Sequence, residues 1–207
     1  MSTWIRKRFD GIGLTQSPPG PHLPALQNRY RGTVLLCIDV SYSMDGERLA
    51  QAIEGGVAFL AEADEERYDC GLILWSSQIV RYLPPDLPHA EIVAGLRAAS
   101  ADGGTDVVPA LLQCKDLYGP MTGDRVVCIF SDGEIPRVDE AERVARELCA
   151  MGVRIVVRGL GPRAAGTLSR LTCPGSDSDD RQVIVDVADI RAGIASMAGG
   201  LAKKGRG

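Results

Sequence analysis

Two apolar runs that each end on aspartate constrain this chain more than any other feature. Thr33, Val34, Leu35, Leu36, Cys37 and Ile38 lead into Asp39; Arg125, Val126, Val127, Cys128, Ile129 and Phe130 lead into Ser131 and Asp132. Neither run alternates apolar with polar side chains, so each predicts a strand covered on both faces. Such strands need helices above and below one sheet. Helical spacing follows both: Leu49, Ile53, Val57 and Leu60 after the first, Ala141, Val144, Ala145 and Leu148 after the second.

The remaining pattern extends this scheme. Residues 70–75 read as a second strand and 78–83 as a third, with Ser76 and Ser77 between them. So short a link predicts a hairpin, hence an antiparallel edge strand. Short helices are expected around Ile92, Val93 and Leu96, and around Val108, Leu111 and Leu112 just after Thr105. A fifth strand is expected at 153–157, a short helix at Leu168 and Leu171, a last strand at 182–185 and a closing helix at 190–201. Strands alternating with helices predict an α/β fold with a mostly parallel sheet and helices on both faces.

One domain is expected over 33–201, with a flexible tail at 202–207. Residues 1–32 read as an extended arm, because Pro18, Pro19 and Pro21 oppose both helix and sheet. Trp4, Ile5, Phe9 and Ile12 give the arm apolar character, suited to packing on the domain or to docking. The acidic stretch 176–180 reads as a solvated loop.

Composition removes several function classes. The 207 residues are 45 % hydrophobic and 24 % charged, which is ordinary for a globular chain. A net charge of −4, with basic runs only at 6–8 and 203–206, argues against nucleic acid as partner. Apolar runs are too short for a membrane-spanning helix, and the N-terminus lacks a signal-peptide apolar core. Cys37, Cys70, Cys114, Cys128, Cys149 and Cys173 form no CxxC pair and no zinc spacing with histidine. They read as reduced thiols, implying a cytoplasmic protein.

Three loop segments concentrate small oxygen-bearing residues and glycines. Asp39, Val40, Ser41, Tyr42 and Ser43 follow the first strand; Gly103, Gly104, Thr105 and Asp106 precede a helix; Ser131, Asp132, Gly133 and Glu134 follow the fourth strand. Each has an ordinary reading as a helix cap or turn. Together they suit a hard divalent cation. Mg²⁺ takes oxygen ligands at about 2.0–2.1 Å and usually keeps several waters. Ser41, Ser43 and Thr105 offer hydroxyls, and Asp39 and Asp132 offer carboxylates.

These segments resemble the metal-ion-dependent adhesion site of von Willebrand factor A domains, Asp-x-Ser-x-Ser followed by Thr and then Asp. The resemblance runs over roughly 33–197 and leaves the arm outside it. It implies a six-stranded, doubly wound sheet in order 3-2-1-4-5-6 with strand 3 antiparallel. It implies Ser41 and Ser43 as direct ligands, Thr105 as direct or water-mediated, and Asp39 and Asp132 as direct or through water. Tyr42 departs from the glycine often found there and falls on the rim. The ion would be Mg²⁺, with Mn²⁺ or Ca²⁺ as alternatives, and would accept an Asp or Glu carboxylate from a partner protein. Tyr42, Met44, Asp106 and Glu134 are the expected partner-binding rim. Stand-alone members resemble adaptors in bacterial systems, for example beside AAA+ ATPases of the MoxR or chelatase type.

Three competitors remain. A metal-assisted hydrolase would need a general base near the ion, and a serine hydrolase a histidine. The two histidines, His22 and His89, fall in the arm and after Pro88; that leaves Asp or Glu as the base of a metal-assisted hydrolase, the alternative to the expected non-enzymatic role. A nucleotide-binding fold would want GxGxxG after the first strand, where none stands. The third competitor keeps the fold but makes the ion purely structural, with partner binding independent of it.

Overall fold

The computed structural model describes residues 31–174 and 183–201. The arm up to residue 30, the acidic loop at 176–180, residue 182 of the last expected strand and the tail at 202–207 lie outside the described residues.

Six strands form one sheet: β1 (Gly32–Asp39), β2 (Tyr68–Trp75), β3 (Ile79–Leu83), β4 (Arg125–Ser131), β5 (Arg154–Leu160) and β6 (Val183–Ile184). Their order is β3-β2-β1-β4-β5-β6, as the resemblance implied. All neighbours pair in parallel except β2 with β3, the tight hairpin. β1 lies at the centre, with Cys37 opposite Ile73 on one side and Ile129 on the other.

Among the described residues six α-helices cover the sheet: α1 (Glu47–Glu65), α2 (His89–Arg97), α3 (Val108–Tyr118), α4 (Val138–Ala150), α5 (Gly161–Ser169) and α6 (Ile190–Ala195). The apolar runs are continuous because each strand feeds two cores. Val34, Leu36 and Ile38 pack with Phe59 and Leu60 of α1, Ile92 and Leu96 of α2 and Ile190 and Ile194 of α6. Leu35 and Cys37 face the other way, onto Leu111 and Cys114 of α3 and Val144 and Leu148 of α4. Gly55 lets α1 meet the C-terminal helix closely: a Cβ there would lie 2.7 Å from the Arg191 carbonyl oxygen.

Two expectations are corrected. The closing helix stops at Ala195 and continues as a 3₁₀ turn over Ala198–Gly200; Gly199 and Gly200 are poor helix formers. The cysteines are not all thiols. Cys149, near the end of α4, is disulfide-bonded to Cys173, with Cα atoms 5.5 Å apart. The fold makes this pair, because the Cys173 sulfur sits against the Val153 carbonyl at the α4–β5 turn. Cys37, Cys70, Cys114 and Cys128 are free and buried. No helix among the described residues is long and apolar enough to cross a membrane.

Candidate functional site

β1 and β4 are neighbours whose crossovers leave to opposite faces of the sheet. The crevice at their C-terminal ends is where open α/β sheets receive ligands. Asp39 is the last residue of β1 and Ser131 the last of β4. After β1 the chain passes Val40 and Ser41 into a 3₁₀ turn at Tyr42–Met44, then Asp45 and Gly46, before α1 begins. Gly46 has φ +78°, which favours glycine at this joint. Within the turn the Ser41 and Ser43 hydroxyl oxygens stand 3.1 Å apart.

Two carboxylates frame these hydroxyls. Asp39 is buried; its Oδ1 accepts the Ser41 backbone N–H at 2.8 Å and its Oδ2 accepts the Ser131 hydroxyl at 2.6 Å. Burial pushes the Asp39 carboxyl up to about 6, opposed by these hydrogen bonds and assisted by the Asp132 charge. Asp132 Oδ1 accepts the Ser43 hydroxyl at 2.6 Å. Its Oδ2 takes an Arg48 guanidinium N–H at 2.6 Å, and the same Arg48 nitrogen donates to the Ser43 carbonyl at 2.9 Å.

The third loop is pinned to the first. Tyr42 N–H donates to the Gly103 carbonyl at 3.0 Å, and Asp102 N–H to the Val40 carbonyl at 2.8 Å. Ser76 and Ser77 of the β2–β3 turn hold it from the other side. The Ser76 carbonyl accepts the Asp106 N–H and the Ser77 hydroxyl accepts the Gly104 N–H, each at 2.8 Å. Gly103 has φ +78°, and a Cβ there would lie 2.9 Å from the Ser76 hydroxyl oxygen. The Thr105 hydroxyl faces Gly133, 3.7 Å from where a Cβ would sit. The structure thus gathers Asp39, Ser41, Ser43 and Asp132 in one hydrogen-bonded cluster and places Thr105 opposite the residue after Asp132.

The expected rim divides. Tyr42 is 69 % exposed, and its hydroxyl is paired with Asp102, which pushes its pKa up. Glu134 is exposed, 3.7 Å from Arg163. Asp106 is mostly engaged: Oδ1 accepts the Val108 N–H at 3.0 Å in the turn that leads into α3, and Oδ2 pairs with Arg137 at 2.7 Å. Met44 is corrected. It is 0 % exposed and belongs to the core under α1, where it anchors the turn and offers a partner nothing.

Sequence reasoning assigned no role to Ser131 or Arg48. Ser131 stood next to Asp132 in a segment already singled out, so its position at the end of β4 was a usable signal. Arg48 lies nine residues beyond Asp39 on a helix, and only the folded loop brings it back to Asp132.

The donor set fits a hard cation. Two carboxylates, one of them buried without a cationic partner among the described residues, stand beside hydroxyls that retain acceptor capacity. No cluster of three or more His, Cys, Asp and Glu side chains suited to a metal occurs among the described residues. A site built largely of hydroxyls is not of that type. His89 lines a cavity with Arg31, Tyr68 and Asp69 at the opposite end of the sheet, so it supplies no base here.

Residues 34–134 match the family model of the von Willebrand factor type A domain, a span that contains all three loops. No curated protein sequence matches. Among solved structures, the chain is similar to a von Willebrand factor type A protein from Catenulispora acidiphila. That match has TM-score 0.66 at 16 % identity and covers 84 % of this chain and 43 % of that one. It is similar to the vWF domain of the type V pili tip protein Mfa5 from Porphyromonas gingivalis, with TM-score 0.68 at 14 % identity over 86 % and 98 % of the two chains. Proximal thread matrix protein 1 from the mussel byssus, with a zinc-occupied MIDAS motif, gives TM-score 0.58 at 14 % identity over 82 % and 46 %. The chain therefore spans less than half of the first and third of these proteins. These structures show the fold of a von Willebrand factor A domain, and the family match falls on the part of it that carries the three loops.

Proposed function

Starting from a von Willebrand factor A fold, we propose that this chain is a divalent-cation-dependent protein-recognition module with Mg²⁺ as its ion. The observation that carries the reading is the convergence of Asp39, Ser41, Ser43 and Asp132 in one cluster, with Thr105 beside it. Asp39 and Asp132 would balance the charge of the ion from the two central strands. Ser41, Ser43 and Thr105 would hold it through neutral oxygens. When bound, the ion supplies an electron-poor position that takes a carboxylate oxygen. Ser131 and the Ser41 N–H fix the Asp39 carboxylate, so the buried charge is oriented before any ligand arrives.

The partner is proposed as a protein presenting Asp or Glu, with Tyr42 as the most exposed aromatic contact on the rim. An adaptor role beside an AAA+ ATPase of the MoxR or chelatase type is the family-level form of this proposal. The cytoplasmic setting loses its support with the Cys149–Cys173 bridge, because it rested on six reduced thiols. The proposed role is binding rather than catalysis; His89 lies at the opposite end of the sheet, away from the serines of the cluster, where a serine hydrolase would need it.

Isothermal titration with Mg²⁺, and capture of partners with and without EDTA, test the reading. The wild type should bind one Mg²⁺ and lose its captured partner in EDTA. Ser41→Ala should lose most Mg²⁺ affinity, by about tenfold or more, while keeping its far-UV spectrum. Partner capture indifferent to both EDTA and Ser41→Ala, or Mg²⁺-dependent hydrolysis of chromogenic phosphate esters, would sink it.

A further inference from the structure

Arg48 is the residue at this site that the recognition reading does not use. It sits at the second position of α1, after Gly46 and Glu47. A cation there opposes the helix macrodipole, which favours negative charge at the N-terminus. Its guanidinium nonetheless turns back across the loop to Asp132 Oδ2 at 2.6 Å and to the Ser43 carbonyl at 2.9 Å. The Asp132 carboxylate has no exposed surface, whereas the Arg48 side chain is 41 % exposed. Asp132 is thus the fixed member of the pair and Arg48 the one free to leave. The other nearby arginines do not do this. Arg137 pairs with Asp106 and Glu140, and Arg163 with Glu134, outside the hydrogen-bonded cluster.

We propose that Arg48 is a tethered cation that competes with the divalent ion for Asp132 and so sets the affinity of the site. This rests on the metal reading above. An ion among Asp39, Ser41, Ser43 and Asp132 places two positive charges near a guanidinium already bonded to one of its carboxylates. Like charges at such separations repel; water at the half-exposed Arg48 screens part of this, and the buried Asp132 carboxylate that both charges share limits the screening. Either Arg48 stays and weakens the ion, or it swings outward on its long, exposed stem and gives up the ion pair. Both routes make the ion bind less tightly than the same oxygens would alone. In exchange, Asp132 always has a cation on it, which spares a buried carboxylate from standing unpaired.

The test is a Mg²⁺ and Mn²⁺ titration of wild type and Arg48→Gln by calorimetry, after chelation and dialysis. Arg48→Gln should bind at least about tenfold more tightly, as removal of a like charge beside the ion requires. A second measurement needs no variant. In wild-type protein with ¹⁵N-labelled arginine guanidinium groups, Mg²⁺ should shift the Arg48 signal and leave Arg137 in place. If wild type binds Mg²⁺ but Arg48→Gln binds equally or more weakly, the competition is refuted and the metal reading stands. An Arg48 signal unmoved at saturating Mg²⁺, with unchanged affinity in Arg48→Gln, refutes it likewise. If neither protein binds either ion, both readings fall.

Discussion

Asp39 carries an electrostatic cost that the rest of the cluster only partly offsets. Its carboxyl is pushed up from 3.8 to about 6 by burial, against the hydrogen bonds from Ser131 and Ser41. The folded state therefore holds the proton more tightly than the unfolded chain, and stability falls as pH rises between those two values. The ionised form costs roughly 3 kcal/mol above pH about 6, and the cost vanishes below about 3.8. Urea denaturation in EDTA from pH 4 to 7 should show this decline in wild type and a flatter profile in Asp39→Asn. Parallel profiles would mean that Asp39 does not titrate as its burial implies. At this scale the sequence was informative about ligands and silent about their supports. Asp39, Ser41, Ser43, Thr105 and Asp132 stand at loop positions whose spacing is visible in the chain. Arg48 reaches Asp132 only through the turn at Tyr42–Met44, and Met44 looks like a rim residue until that turn buries it.

At the scale of elements, what was legible followed from burial. β1 and β4 are continuous apolar runs because successive side chains enter two different cores, and the short link, three residues from Ser76 to Gln78 in the structure, left β3 no choice but to fold back on β2. Strand order was not readable from periodicity and came from the resemblance. The Cys149–Cys173 bridge was not readable at all. It depends on α4 and the end of α5 meeting beside β5, and neither cysteine has a local signature. The bridge closes a loop across 24 positions, so chain-entropy arguments assign it about 3 kcal/mol of stability. Cys173→Ser, or wild type in dithiothreitol, should lose stability of that order in denaturant titrations. Mg²⁺ affinity should be untouched, because the bridge lies at the α4–β5 turn and the site lies at the other ends of the strands. A drop in Mg²⁺ affinity on reduction would show that the two ends of the sheet are coupled.

At the scale of the whole molecule, the question is whether the ion serves the fold or the partner. The five candidate ligands come from three loops that meet at the ends of β1 and β4, and those strands are already held by two cores and by β2 and β5. Main-chain bonds at Val40, Gly103 and Ser76 fasten the first loop, the 102–106 loop and the β2–β3 turn to one another, and the Ser43 and Ser131 hydroxyls tie the Asp132 loop to the first, without help from an ion. An ion bound only by the folded state still stabilises it by mass action, about 2.7 kcal/mol at a hundred times its dissociation constant. For a domain of this size that corresponds to a rise in melting temperature of roughly 5–10 °C. Mg²⁺ should raise the midpoint of wild type by that much and leave Ser41→Ala unmoved. In EDTA, Ser41→Ala should melt close to wild type, because the bonds between loops pass through main-chain groups and the Ser43 and Ser131 hydroxyls, while the Ser41 hydroxyl bonds only Ser43 and Asp39 beside it. The discriminating comparison is partner binding on the same samples. If the ion is a recognition element, Ser41→Ala loses the partner at temperatures where it is fully folded. If the ion is purely structural, Ser41→Ala keeps the partner at low temperature and loses it only on melting, and the carboxylate-recognition reading is then wrong even though metal binds.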